Sequence, residues 1–314
     1  MTRPGNPETT DTVAGLRRRL DDWRSAGLRV GLVPTMGALH AGHRSLIRRA
    51  RRQTDRVVVS VFVNPLQFED RAQFSAYPRD RATDRAQLRA ARVDLCFAPT
   101  RRAMLPAGFA TRVAVLRGTH GWEGADRPGH FEGVATLVAR LLSLAGPVRA
   151  YFGEKDAQQL AMVRRLVRDL GLPVEVVGCP TVREPDGVAC SSRNRLLTAS
   201  QRRAGASLPQ AVRAALSAYQ AGERSGETIA RRAGDVIAAE PGASLGYAAV
   251  VDPDTFEPQV AASARGLVIV AARVGPVRLI DSARLGDRRL AARAARWTSS
   301  PPGPPPGPRP PPGT

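Results

Sequence analysis

Apolar positions along this chain keep switching between helical and strand spacing, and the switches outline a fold. Val13, Leu16 and Leu20 recur at helical spacing within Thr12 to Ala26, with Asp11 near the start and Gly27 at the end. Val30 to Val33 is then a short unbroken apolar run, the pattern of a strand buried on both faces. Over Arg44 to Gln53, Leu46, Ile47 and Ala50 take one helical face and Arg44, Arg48, Arg51 and Arg52 the other. Val57 to Val63 is a longer β-branched run, and a helix from Asp80 to about Arg92 leads to a strand over Val93 to Phe97. Pro99 to Arg127 has no regular period. A helix over Val134 to Leu144 and a strand over Val148 to Phe152 follow. The next helix turns Leu160, Val163, Leu166, Val167 and Leu170 inward, and Val174 to Val177 is a fifth strand. Strand–helix alternation with short connections predicts a doubly wound parallel sheet covered on both faces.

The pattern changes after a turn-rich hinge, Thr181 to Gly187. Two helical stretches, about Ser200 to Ala221 and Ser225 to Ala238, precede three strands around Tyr247 to Val251, Leu267 to Ala272 and Val277 to Ile280. That order describes a small α+β domain. We therefore expect an α/β domain over residues 1–181, a smaller C-terminal domain over 182–290, and a Pro/Gly-rich tail over 291–314. A tail of that composition has nothing to bury and is expected to be disordered.

Chemistry concentrates where strands end. Val33-Pro34-Thr35-Met36-Gly37-Ala38-Leu39-His40-Ala41-Gly42-His43 joins the first buried strand to a helix through small residues. Strand, Gly-punctuated turn and helix start is a geometry that aims free backbone N–H groups at phosphate. His40 and His43, two of only four histidines, stand where they can donate to its oxygens. The second apolar run ends in Asn64-Pro65-Leu66-Gln67, which puts two amides at the carboxyl edge of the sheet, where doubly wound folds bind ligands. Asn64 is equally well explained as a turn former; Gln67 has no such role. Gly153-Glu154-Lys155-Asp156 and Ser191-Ser192-Arg193 complete a set able to converge on one crevice. His130 caps or braces a helix start rather than acting on substrate. Together these segments supply imidazoles, an ammonium, a guanidinium and hydroxyls, the means of holding a nucleoside triphosphate while a nucleophile attacks its α-phosphate. Lys155 acts as a compact point charge and Arg193 as a planar fork. A carboxylate nucleophile is already ionised near pH 7 and needs no base. Gln67 and Gln159 suit a hydroxylated acid.

Composition changes this picture little. The net charge of +19 raises the question of nucleic-acid binding, but the charge is almost all arginine, spread over every predicted helix. Lysine occurs once, at Lys155, a bias we attribute to codon usage. No apolar run approaches the ~20 residues of a membrane span, and Met1 to Asp11 lacks a signal-peptide core, so a cytoplasmic protein is expected. Cys96, Cys179 and Cys190 share no metal spacing and are expected to be free thiols. No side-chain cluster reads as a metal site.

The His-x-Gly-His turn resembles the signature of the adenylyl-transferring superfamily that includes class I tRNA synthetases. With Phe62-Val63-Asn64-Pro65-x-Gln67-Phe68, Tyr77-Pro78-Arg79, Arg127-Pro128-x-His130-Phe131, Phe152-Gly153-Glu154-Lys155-Asp156-x-Gln158-Gln159 and Ser191-Ser192-Arg193-Asn194, it is similar to the pantothenate synthetases over about Val13 to Ser282. The resemblance implies a Rossmann-like N-terminal domain, a smaller lid, a cytoplasmic homodimer, and ligation of D-pantoate to β-alanine through a pantoyl adenylate. It implies ATP, with magnesium on its phosphates, as cofactors. It implies that Met36, Gly37, Ala38, Leu39, His40, Ala41, Gly42, His43, Gly153, Glu154, Lys155, Asp156, Val182, Cys190, Ser191, Ser192 and Arg193 contact ATP. His43 is then the proton donor, Gln67 and Gln159 hold pantoate, and Gln67 also meets β-alanine. Five positions depart from the usual pattern: Cys190 stands where Met is common, Ala41 where an acid is usual, Ala248-Ala249 where Leu-Glu is common, and Ser282 where Asn is common. The alternative is another nucleotidyltransferase of the same superfamily.

Overall fold

A computed structural model describes residues 6–294. Strand β1 (Glu8–Thr10) is followed by α1 (Val13–Ser25), β2 (Val30–Thr35), α2 (Ala41–Gln53) and β3 (Arg56–Val61). Short helices α3 (Arg71–Ala76) and α4 (Arg81–Ala90) lead to β4 (Leu95–Phe97). Two helical turns, α5 (Arg101–Met104) and α6 (Glu123–Asp126), interrupt the long excursion before α7 (His130–Ala145). β5 (Val148–Gly153), α8 (Ala157–Asp169) and β6 (Val174–Cys179) close the first unit. The second contains α9 (Ala199–Gly205), α10 (Ser207–Gln220), α11 (Gly226–Ala238), β7 (Ser244–Val251), β8 (Leu267–Val274), β9 (Val277–Arg284) and α12 (Arg288–Ala294).

The first six strands form one parallel sheet in the order β1-β4-β3-β2-β5-β6. The winding reverses between β2 and β5. These two strands pair only at Gly31–Arg149 and Leu32–Ala150. Beyond those pairs the ladder stops, and the carboxyl ends of both strands line a crevice at the switch point. Side chains alternate between two cores. Leu32, Val58, Ala150 and Phe152 pack with Leu16, Leu142 and Leu166 of α1, α7 and α8. Val33, Val57, Val59 and Tyr151 pack with Leu46 and Ile47 of α2 and Leu88 of α4. Burial on both faces is why these strands are written as unbroken apolar runs.

The second sheet is antiparallel, β7-β8-β9. Val268, Val270 and Ala272 of β8 meet α10 and α11, whereas Leu267 and Ile269 face a seam with Ala161 of α8. Polar contacts also cross the seam. Arg278 of β9 pairs with Glu123 and Asp126 of α6, and the Trp122 indole N–H donates to the Phe256 carbonyl at 3.0 Å. Arg183 of the hinge forks onto Asp281 of β9, with both side chains buried, and the Ser282 hydroxyl donates to the Glu154 carbonyl at 3.1 Å.

Several boundaries differ from expectation. β1 is polar and was not foreseen; its register against Leu95–Phe97 holds it. α2 begins at Ala41 rather than Arg44, and α7 at His130 rather than Val134. The single helix expected over Ser200 to Ala221 is broken at Ala206, because Pro209 in the first turn of α10 has no N–H to continue the ladder from α9. α12 runs to Ala294, past the expected boundary at 290; the rest of the expected tail lies outside the described residues. Among the described residues no helix is long and apolar enough to cross a membrane, and the three cysteines are free and buried.

Candidate active site

The turn after β2 bends sharply. Gly37 (φ +81°) and Ala38 (φ +50°) are both left-handed, which is uncommon for a residue with a Cβ. His40 then caps α2, its Nδ1 accepting the Gly42 N–H at 3.1 Å. A neutral ring that accepts at Nδ1 carries its proton on Nε2. The His43 ring lies 4.0 Å from that of His40, centroid to centroid. Burial, then the Lys155 charge, lowers the His40 pKa to about 4. Burial, then His40, lowers that of His43 to about 3. Both imidazoles are therefore neutral at pH 7, and each offers a single N–H. The turn's own N–H groups are less available than expected. Those of Ala38 and Leu39 are taken by the buried carboxylate of Asp84 at 2.9 and 2.7 Å, and that of Gly37 by the Thr35 hydroxyl at 3.3 Å.

Across the crevice, the turn after β3 presents Gln67. The Asn64 Oδ1 accepts the Leu66 N–H at 3.1 Å, which orients its amide nitrogen. That nitrogen donates to the Gly133 carbonyl at 3.0 Å and to the Gln67 Oε1 at 3.1 Å. Asn64 is thus a turn former whose amide also fixes Gln67. His130 donates from Nδ1 to the Gln67 carbonyl at 2.9 Å and accepts from Arg127 at Nε2, 3.1 Å away. It braces the neighbouring turn as well as starting α7. Burial, then the Arg127 charge, lowers its pKa to about 4.

Lys155 and Asp156 leave the end of β5 with Nζ and Oδ1 3.5 Å apart. Burial alone would raise the Asp156 pKa, but the Lys155 and Arg193 cations outweigh it and hold the carboxyl below its usual range. Ser191 to Arg193 approach from the hinge side, where the Ser192 and Tyr77 hydroxyls are 3.3 Å apart.

These groups enclose a cavity of about 250 Å³. Of the residues singled out in the sequence, Met36, His40, Gly42, His43, Gln67, Gly153, Lys155, Asp156, Gln159, Val182, Cys190, Ser191, Ser192 and Arg193 line it. Gly37, Ala38, Leu39, Ala41 and Glu154 do not. Tyr77, Phe62 and Met104 line it without having been assigned a role. Asp84 stands behind the wall and was not foreseen at all. Among the described residues no group of three or more His, Cys, Asp or Glu could hold a metal ion.

Three buried neutral histidines destabilise the fold in acid. An unfolded histidine protonates near pH 6.5, whereas these resist protonation down to about pH 3–4, so between those limits the unfolded chain binds more protons. The melting temperature is expected to fall as pH drops below about 6.5. A His130→Gln variant, titrated in the same way, should show a shallower fall.

The profile of the family described as pantoate–β-alanine ligase matches residues 8–284. The pantothenate synthetase of Cereibacter sphaeroides is 48% identical over 88% of this chain and 99% of its own. A pantothenate synthetase structure from Thermus thermophilus is 50% identical, with a TM-score of 0.83 over 88% of this chain and 99% of its own. A pantoate–β-alanine ligase structure from Francisella tularensis, complexed with β,γ-ATP and β-alanine, is 30% identical, with a TM-score of 0.72 over 89% and 98%. The chain spans only 56% of a bifunctional pantoate ligase/cytidylate kinase of Synechococcus sp. (strain JA-2-3B'a(2-13)), to which it is 47% identical over 93% of its own length. Fold and relatives together define a ligase built on a doubly wound α/β sheet. The chain belongs to the pantoate–β-alanine ligase family.

Proposed function

We propose that this chain joins pantoate to β-alanine with ATP as the driving substrate, through a bound pantoyl adenylate, releasing pyrophosphate and then AMP. One observation carries the reading: a single cavity has two neutral imidazoles, Lys155 and Arg193 around one region and the amides of Gln67 and Gln159 lining it as well. The pantoate carboxylate oxygen attacks the α-phosphorus, and the P–O bond to pyrophosphate breaks. The β-alanine amine then attacks the acyl carbon, the bond to the AMP oxygen breaks with its electron pair, and the amine proton passes to solvent. Lys155 and Arg193 offset charge that builds on the phosphates, while His40 and His43 donate one N–H each. Being neutral, His43 serves by donating this hydrogen bond. The amides of Gln67 and Gln159 hold pantoate, and Gln67 also meets β-alanine. Val182 and Cys190 form the nucleotide wall. Magnesium arrives with the ATP phosphates as part of the substrate.

We further assign residues 1–181 to nucleotide and pantoate binding and 182–290 to a lid, in a cytoplasmic homodimer. The test is a coupled assay of the purified chain with ATP, magnesium and pantoate, with and without β-alanine. ATP–pyrophosphate exchange that needs pantoate alone, and AMP release that needs both acids, are expected. A dinucleotide product, or turnover indifferent to pantoate, would overturn the proposal.

A further inference from the structure

The turn that presents His40 is gripped from behind by one short helix. Asp84 of α4 is 5% exposed, and its two oxygens accept separate backbone N–H groups, Ala38 at 2.9 Å and Leu39 at 2.7 Å. One helical turn later the Gln87 amide donates to the Leu39 carbonyl at 3.0 Å. Successive N–H groups beside left-handed residues form a concavity that attracts an anion. Here the anion is internal. The fit is close: a Cβ added at Gly37 would stand 2.9 Å from the Asp84 Oδ2.

We propose that Asp84 is a positioning residue for the nucleotide end of the site, resting on the function proposed above. By filling the concavity it holds Ala38 in its left-handed conformation and delivers His40, the next residue but one, to the cap of α2. The N–H groups of Ala38 and Leu39 are thereby withdrawn from phosphate. Both carboxylate oxygens are needed. The Asp84→Asn change leaves one acceptor and sets an NH₂ group against the other N–H, donor facing donor. The turn would relax, and the imidazoles with it. A second consequence concerns the segment before α4, since Tyr77 also lines the cavity and meets Ser192. Tyr77 and the turn at 37–39 are thus tied to one helix.

The test compares three variants of the full chain. Asp84→Asn is expected to raise the KM for ATP in pantoate-dependent exchange by about tenfold or more and to lower kcat about tenfold. The KM for β-alanine in the complete reaction should stay within about twofold, since the defect lies at the nucleotide. Asp80→Ala removes the exposed cap of the same helix, where Asp80 accepts the Thr83 N–H at 2.9 Å. It should lower the melting temperature while leaving exchange near wild type. If both variants lose exchange equally, the effect is only that of unfolding α4, and the proposal fails. It fails also if Asp84→Asn keeps ATP kinetics within about threefold of wild type. Should Asp84→Asn not fold, Gln87→Ala decides: a raised KM for ATP supports the proposal, and an unchanged one overturns it. A wild-type chain without pantoate-dependent exchange would refute the substrate assignment instead. Calorimetric ATP affinity of the same variants would then judge Asp84 separately.

Discussion

Alanine in place of His43 is expected to lower pantoate-dependent ATP–pyrophosphate exchange about 10²–10³-fold, the loss typical of one preorganised donor removed from a developing charge. The fold should survive, because this ring lines the cavity rather than a core. His43 is the cleaner of the two histidines to test, since His40 also caps α2 and its loss would disturb the helix start. The ring is neutral far below pH 7. The exchange rate should therefore show no break near pH 6.5, where an ordinary histidine titrates, and should stay level down to about pH 5. A wild-type-like rate for His43→Ala, or a clear inflection near pH 6.5, would remove His43 from the mechanism.

Lys155→Arg is expected to keep the charge and lose most of the activity. Lys155 is the only lysine in the chain, its ammonium lies 3.5 Å from the Asp156 carboxylate, and both residues line the cavity. Its side chain is 18% exposed, which leaves little width for a guanidinium. A planar fork cannot take the place of a compact point charge that turns to follow a moving phosphate, so a loss of about 10²-fold or more in kcat is anticipated. A second measurement needs no mutation. An amine-acylating reagent can react only at Lys155 or at the chain's N-terminus, and ATP with magnesium should protect Lys155 in a peptide map. Normal turnover by Lys155→Arg, with no protection by ATP, would mean that the lysine has no part in catalysis.

What could be read from the sequence follows from which interactions leave a mark on residue type. Val57 to Val61 had to be apolar because both faces of β3 are covered, so the strand was plain. β1 is held by backbone pairing and by the Glu8–Arg19 ion pair, and neither leaves an apolar mark on Glu8-Thr9-Thr10. Where the cavity lining is polar and follows a strand end, as at His40, His43, Gln67, Lys155 and Asp156, polarity needs a reason and the residues stood out; apolar lining such as Phe62 and Met104 did not. Asp84 escaped because it acts on backbone N–H groups more than 40 positions earlier in the chain. A lone acid on an amphipathic helix gives no sign of such a partner. His130 was assigned to its own helix start, and its bond to the Gln67 carbonyl needed the packing of α7 against the turn. The departures at Cys190 and Ser282 were visible in the sequence, but only coordinates show where the shorter Ser282 side chain reaches.

That reach ends at the Glu154 carbonyl, one peptide unit before Lys155. Ser282 belongs to β9, whose neighbouring Asp281 is forked by Arg183 of the hinge. β9 therefore holds the backbone that carries the ammonium. In the lid proposed above, moving the second sheet away breaks this bond, so opening also frees the loop that carries Lys155.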